Sequence, residues 1–202
     1  MPFSIPDPPE LRIKKQKQAL RSHHRALRKQ ISLESRSLLD SALLANLASH
    51  PAFERAQTVL FYYPVKGEPN LLPLAQHALR MNKALAFPCS DTEHYTLTFR
   101  TVTDLSEMSP GAYDIPEPTE AHPILTDFSD SLCIVPGLAF DFWGYRLGQG
   151  KGFYDRFLSN YNGLSIGLSY HCFLLESIPH DQYDQKVDLI ITEKGEMLPY
   201  EE

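Results

Sequence analysis

The sequence predicts an α/β fold, a three-layer αβα arrangement with a mainly parallel sheet and helices on both faces. Short β-branched and aromatic runs alternate with helical stretches along the chain, the pattern of repeated strand–helix–strand units. One apolar run, residues 132–135, is the expected central buried strand. It feeds a stretch with glycines at 148, 150 and 152, followed by an amphipathic helix with Phe153, Phe157 and Leu158 on one face. Strand, glycine-rich loop and helix in that order make a nest for a polyanion.

The 202 residues suit a single α/β domain over residues 10–202, behind a flexible proline-rich tail at residues 1–9. A hydrophobic content of 43% with 22% charged residues is that of a soluble globular protein. A formal net charge of −6 argues against a general nucleic-acid binder. No apolar run approaches the length that spans a bilayer, and the N-terminus lacks the apolar core of a secretion signal. Cys89, Cys133 and Cys172 are odd in number and far apart, which fits reduced thiols better than a disulfide frame. The expectation is a cytoplasmic monomer with no membrane or nucleic-acid partner.

From about Glu10 to Gln30 the residues are good helix formers and strongly basic, with no acid between Leu11 and Gln30. Lys17, Arg21, Arg25 and Arg28 recur at helical spacing and share one face. Like charges stacked in this way repel, so the face is either solvated or opposed by an anion, phosphate or nucleic acid. Ser32 caps a second helix reaching about His50, with Leu38, Leu39, Ala42, Leu43 and Leu47 as its core stripe, and Pro51 stops it.

Residues 58–62 form a buried strand whose carboxyl end runs into Tyr63-Pro64-Val65-Lys66-Gly67-Glu68-Pro69, at the edge where open α/β sheets bind ligands. A helix over residues 71–81 and a strand over 84–87, ended by Pro88, come next. Residues 95–100 alternate polar and apolar as a half-exposed strand does. A long loop carries Ile115-Pro116-Glu117-Pro118, and strands at 164–168 and 189–192 complete the core. Trp143 is expected in the core or on a pocket wall.

In the glycine stretch, backbone N–H groups can turn inward, Arg146 and Lys151 add full charges, and Asp155 falls in the first helical turn, within reach of a divalent cation. The spacing Gly-x-Gly-x-Gly is neither that of a dinucleotide fold nor that of a P-loop, and glycine clusters are also ordinary turn material. The wider pattern is narrower in meaning. Arg146-Leu147-Gly148-Gln149-Gly150-Lys151-Gly152-Phe153-Tyr154-Asp155, with the lead-in Val-Pro-Gly-Leu-Ala-Phe-Asp at residues 135–141, resembles the signature of the 5-formyltetrahydrofolate cyclo-ligases, also called methenyltetrahydrofolate synthetases.

That resemblance implies ATP- and Mg2+-dependent cyclisation of 5-formyltetrahydrofolate to 5,10-methenyltetrahydrofolate, giving ADP and phosphate through a phosphorylated formyl intermediate. It also implies roles for particular residues. Lys17-Gln-Ala-Leu-Arg21 matches a family motif that reaches the ATP phosphates, joined by Arg146, Leu147, Gly148, Gln149, Gly150, Lys151, Gly152, Phe153 and Tyr154. Tyr63, Glu68, Phe153 and Tyr154 line the folate side, and the 115–118 segment borders it. Asp155 holds magnesium together with Asp188 of Val187-Asp188. Asp181 and Asp184 lie nearby in sequence and compete for that role.

The eight histidines show no His-x-x-x-His spacing, so a zinc site is not expected. No Gly-x-Ser-x-Gly elbow is present. Two other classes use the same features: a sugar-phosphate isomerase, needing the anion nest without ATP or metal, and an RNA-binding module built on the basic helix.

Overall fold

A computed structural model describes residues 7–65 and 67–201. Most of the proline-rich tail, residues 1–6, lies outside them. Five α-helices occur among the described residues: α1 Pro9–Gln30, α2 Leu33–Ala48, α3 Pro51–Arg55, α4 Leu72–Arg80 and α5 Phe153–Leu158. The main sheet contains β1 Thr58–Leu60, β2 Ala84–Asp91, β3 Thr96–Val102, β6 Ser131–Val135, β9 Leu164–Leu168, β11 Leu189–Thr192 and β12 Gly195–Met197. Its order is β12-β11-β9-β6-β1-β2-β3. Its five inner strands pair in parallel, and β3 and β12 are antiparallel edges. A small sheet joins β7 Ala139–Asp141, β8 Arg146–Leu147 and β10 Leu174–Leu175, and β4 Ser109–Pro110 pairs with β5 Pro116–Glu117.

Helices lie on both faces, unequally. On one face Leu43, Leu47, Phe53, Leu74 and Ala78 of α2, α3 and α4 pack on Val59, Leu85, Ile134 and Ile166 of the sheet. On the other, Leu60, Cys133, Val135 and Ile190 are covered by α5 and the loop carrying Leu125 and Phe128. Ser32 caps α2, its hydroxyl accepting the Ser35 N–H at 3.1 Å.

Three local expectations differ from the outcome. Pro88 does not end its strand. β1 has already stopped at Leu60, so by Pro88 only β3 flanks β2, and an edge position tolerates a missing N–H. The strand at 131–135 does not feed the glycine stretch directly, because the β7–β8 hairpin stands between them. The helix after the glycines, α5, has only 6 residues and no side-chain cap, so its dipole adds little beyond its first amides. Trp143 is half-buried in the turn of that hairpin, its ring edge-on to Tyr200 at 5.4 Å.

Because β1 continues to β2 on one side and β6 to β9 on the other, the chain diverges between β1 and β6. That is the crevice where open α/β sheets take ligands. Arg28 of α1 fills its floor. The guanidinium donates to the carbonyls of Gly67 (2.7 Å), Gly137 (2.6 Å) and Leu138 (3.1 Å), and lies 4.9 Å above the Phe173 ring. One buried side chain therefore ties α1 to the loops leaving β1 and β6. Arg28→Met keeps the stem but orphans three carbonyls. It should cost about 3 kcal/mol of stability in urea unfolding. A loss below about 1 kcal/mol would show that water replaces the guanidinium at no consequence.

Candidate active site

The basic helix and the glycine loop meet. Arg21 Nε donates to the Gly148 carbonyl at 2.9 Å, and Arg25 donates to the Gln149 side-chain oxygen at 2.8 Å. Gly150 has φ +99, and a Cβ there would sit 3.1 Å from the Arg21 guanidinium carbon. Gly150 and Gly152 (φ +75) need a conformation that glycine alone adopts readily, whereas Gly148 does not and has open space before it. Burial, then the neighbouring Arg25, lowers the Arg21 pKa, while Asp184 and Asp155 oppose the fall. Arg21 thus lies among both acids and the loop.

The acids named from the sequence sit in three different local settings. Asp155 accepts Arg146 at 2.9 Å and the Gln185 N–H at 3.2 Å, all on Oδ1. Its Oδ2 has no bonded partner among the described residues. Asp184 takes the Lys17 ammonium in a part-buried ion pair and also caps the Asp181 N–H at 2.8 Å. Asp188 sits before β11, where its Oδ2 accepts the Ser165 N–H (2.7 Å) and hydroxyl (2.6 Å). The structure therefore joins Lys17, Arg21, Arg146, Asp155 and the 148–152 backbone, with Asp184 as the acid bonded to the basic helix. No group of three or more His, Cys, Asp or Glu suited to a metal occurs among the described residues.

On the other side of Arg146 lies the second half of the site. Arg146 is buried on β8, with its guanidinium 5.6 Å from the Tyr154 ring centroid. Arg146 Nε and the Tyr154 hydroxyl are both buried without a hydrogen-bond partner among the described residues. Two adjacent orphaned donors on one wall are the mark of a surface that a ligand completes. Burial raises the Tyr154 pKa well above the ordinary tyrosine value, with Cys133 and Glu68 adding to the shift, so the phenol keeps its proton.

Glu68 lies in the loop leaving β1 and is 9% exposed. Burial pushes its pKa from 4.5 to about 7, against the Val65 N–H that its Oε2 accepts at 3.1 Å and against the charge of Arg28. Tyr62, buried with its hydroxyl on the Pro69 carbonyl, feels Glu68, Arg28 and Tyr154 together. Tyr63 is half-buried beside this cluster in sequence and has no described bond. The 115–118 segment is pinned to β2, with Glu117 accepting the Ser90 N–H at 3.2 Å and the Pro118 carbonyl accepting the Cys89 thiol at 3.1 Å.

A sequence model of the 5-formyltetrahydrofolate cyclo-ligase family matches residues 13–193. The chain belongs to that family. It is an enzyme of the ligase class. The 5-formyltetrahydrofolate cyclo-ligase of Haemophilus influenzae is 28% identical over 174 residues, 83% of this chain and 92% of its own. The NMR structure of Aquifex aeolicus 5,10-methenyltetrahydrofolate synthetase shares 35% identity at a TM-score of 0.81, covering 92% of this chain and 94% of that one. A synthetase from Mycoplasma pneumoniae, 22% identical, has the same fold at a TM-score of 0.71 over 88% of this chain and 98% of its own. No described helix is long and apolar enough to cross a membrane.

Within this cyclo-ligase fold, Arg28 and Asp184 are the site residues that sequence reading left in the background. Arg28 was one cation among eight on α1, and only the folded chain shows that it is the most buried of them and bonds three backbone carbonyls. The titration of Glu68 is testable. A carboxyl whose pKa is raised on folding stabilises the native state below about 4.5 and loses that contribution as pH rises through about 7. Glu68→Gln should therefore raise the urea midpoint at pH 8 and change it little at pH 5. An equal change at both values would contradict the assignment.

Proposed function

We propose that this enzyme closes the ring of 5-formyltetrahydrofolate to 5,10-methenyltetrahydrofolate at the expense of ATP, with Mg2+ as the metal. The observation that supports the reading is that Arg21 of the basic helix bonds the glycine loop at Gly148, while Arg146 bonds Asp155 and lies against the buried Tyr154, which feels Glu68. A phosphate donor and a folate then meet across Arg146.

The formyl oxygen is a poor leaving group. It attacks the γ-phosphorus, the bond from that phosphorus to ADP breaks, and the formyl oxygen becomes a phosphate ester. The bridge nitrogen of the folate then attacks the activated carbon, loses its proton, and phosphate leaves with the former formyl oxygen. The protein supplies placement and charge neutralisation for such a transfer. Lys17, Arg21, Arg146 and Lys151 oppose phosphate charge, the amides of residues 148–152 cradle it, and Leu147, Gln149 and Phe153 shape the wall. Tyr154 donates from a dry wall, and Glu68, protonated in part near neutrality, can donate to or accept from a ring nitrogen. Tyr63 borders that side.

Asp155 fits a role in holding magnesium, since one carboxylate oxygen bonds Arg146 while the other has no bonded partner among the described residues. Asp188 likewise has one oxygen without a bonded partner among the described residues. Magnesium takes few protein carboxylates and completes its shell with phosphate and water oxygens. When bound, it would neutralise charge on the polyphosphate.

Appearance of methenyltetrahydrofolate absorbance with 5-formyltetrahydrofolate, ATP and magnesium tests the reading. The wild type should turn over only with all three present. Asp155→Asn should fall by roughly a hundredfold or more while remaining folded, with a lower melting temperature because Arg146 loses its carboxylate partner. Gly148→Ala, whose methyl has open space, should fold normally and bind ATP more weakly, because the backbone must approach the phosphates there. Wild-type protein without ATP-dependent product would overturn the proposal.

A further inference from the structure

The turn of the β2–β3 hairpin reaches over the glycine loop. Asp91 folds that turn by accepting the N–H groups of Glu93 (2.8 Å) and His94 (3.1 Å). Tyr95 follows at φ 55, a left-handed conformation that a bulky side chain rarely takes and that clusters at functional sites. Its ring is edge-on to Phe153, with centroids 5.8 Å apart. The Lys151 ammonium lies 5.3 Å from the ring centroid and the Arg156 guanidinium 5.8 Å from it. Arg156 also ties the two segments together, one Nη1 donating to the Lys151 carbonyl (2.9 Å) and the Tyr95 carbonyl (3.4 Å).

Two cations share one ring, and among the described residues neither Lys151 nor Arg156 forms an ion pair with a carboxylate. A π-face attracts each of them, but it does not remove their mutual repulsion. An anion arriving beside the ring would. The strain at Tyr95, the shared ring and the bridging guanidinium therefore point to one arrangement, a holder for the loop's own lysine.

We propose that Tyr95 is a positioning residue for Lys151. Its ring, anchored through Arg156, fixes the ammonium at the rim of the glycine loop, where it meets a nucleotide phosphate. The inference rests on the nucleotide reading of this loop. It adds to that reading a residue from a different hairpin, outside every motif that identified the loop.

Dissociation constants for Mg·ATP, with thermal melts, would be measured for the wild type, Tyr95→Phe, Tyr95→Asn, Lys151→Met and the double variant Y95N/K151M. Phenylalanine keeps the ring and should bind within about twofold of the wild type. Asparagine accepts the left-handed backbone, so it should melt no lower yet bind about threefold to tenfold more weakly. In the Lys151→Met background the same change should cost less than about twofold, because the lysine it positions is gone. Unchanged binding by Tyr95→Asn, or an undiminished loss in the Lys151→Met background, would overturn the inference. Should the asparagine variant melt early, Tyr95→Gly carries the same expectations. Failure of the wild type to bind ATP would remove the nucleotide reading itself, a result distinct from either.

Discussion

A guanidinium in the floor of the crevice, held by three carbonyl oxygens instead of a carboxylate, is the contact on which the site's architecture depends. Arg28 sits where the loops leaving β1 and β6 diverge, and it bonds to both. It is also the last strongly engaged residue of α1. With that end fixed, Arg21 and Lys17 fall two and three turns back along the same face, against the glycine loop and Asp184. A helix this basic would otherwise be driven into solvent by its own repulsion. Carbonyl dipoles and one acid hold it against the domain, and the cations turned toward the loop become part of the site.

The site has a charged half and a dry half, and Arg146 belongs to both. Its terminal nitrogens bond Asp155, its guanidinium lies 5.6 Å from the Tyr154 ring centroid, and its buried Nε has no hydrogen-bond partner among the described residues. Burial raises the pKa values of Glu68 and Tyr154, so the Tyr154 phenol keeps its proton and Glu68 is protonated in part near neutrality. On the proposed reading, phosphate transfer would need charge compensation and its acceptor an environment that excludes water, and the two halves would supply these.

Much of this was legible in the chain. Helical spacing placed Lys17, Arg21, Arg25 and Arg28 on one face, and the residues from Arg146 to Asp155 marked the loop. Alternating apolar runs gave the layers and the parallel sheet. What escaped was set by long-range pairing. Pro88 reads as a strand end until the strand order shows that β1 has already stopped. The β7–β8 hairpin is too short for any periodicity to show it, yet it carries Arg146 to its place. The Val187-Asp188 match singled out Asp188 and left Asp184 as a competitor, and only the fold binds Asp184 to Lys17 and Asp188 to Ser165. Tyr95 carries no signal in a single sequence, because its meaning comes from the loop it leans on.

The central claim is that the N-terminal helix and the glycine loop bind one and the same polyphosphate. Hydrogen exchange followed by mass spectrometry across an ATP titration, with magnesium present and folate omitted, tests it most directly. Amides of residues 17–28 and of residues 148–152 should gain protection together, with a common half-saturating concentration. Protection of one segment while the other exchanges unchanged at saturating ATP would contradict the account.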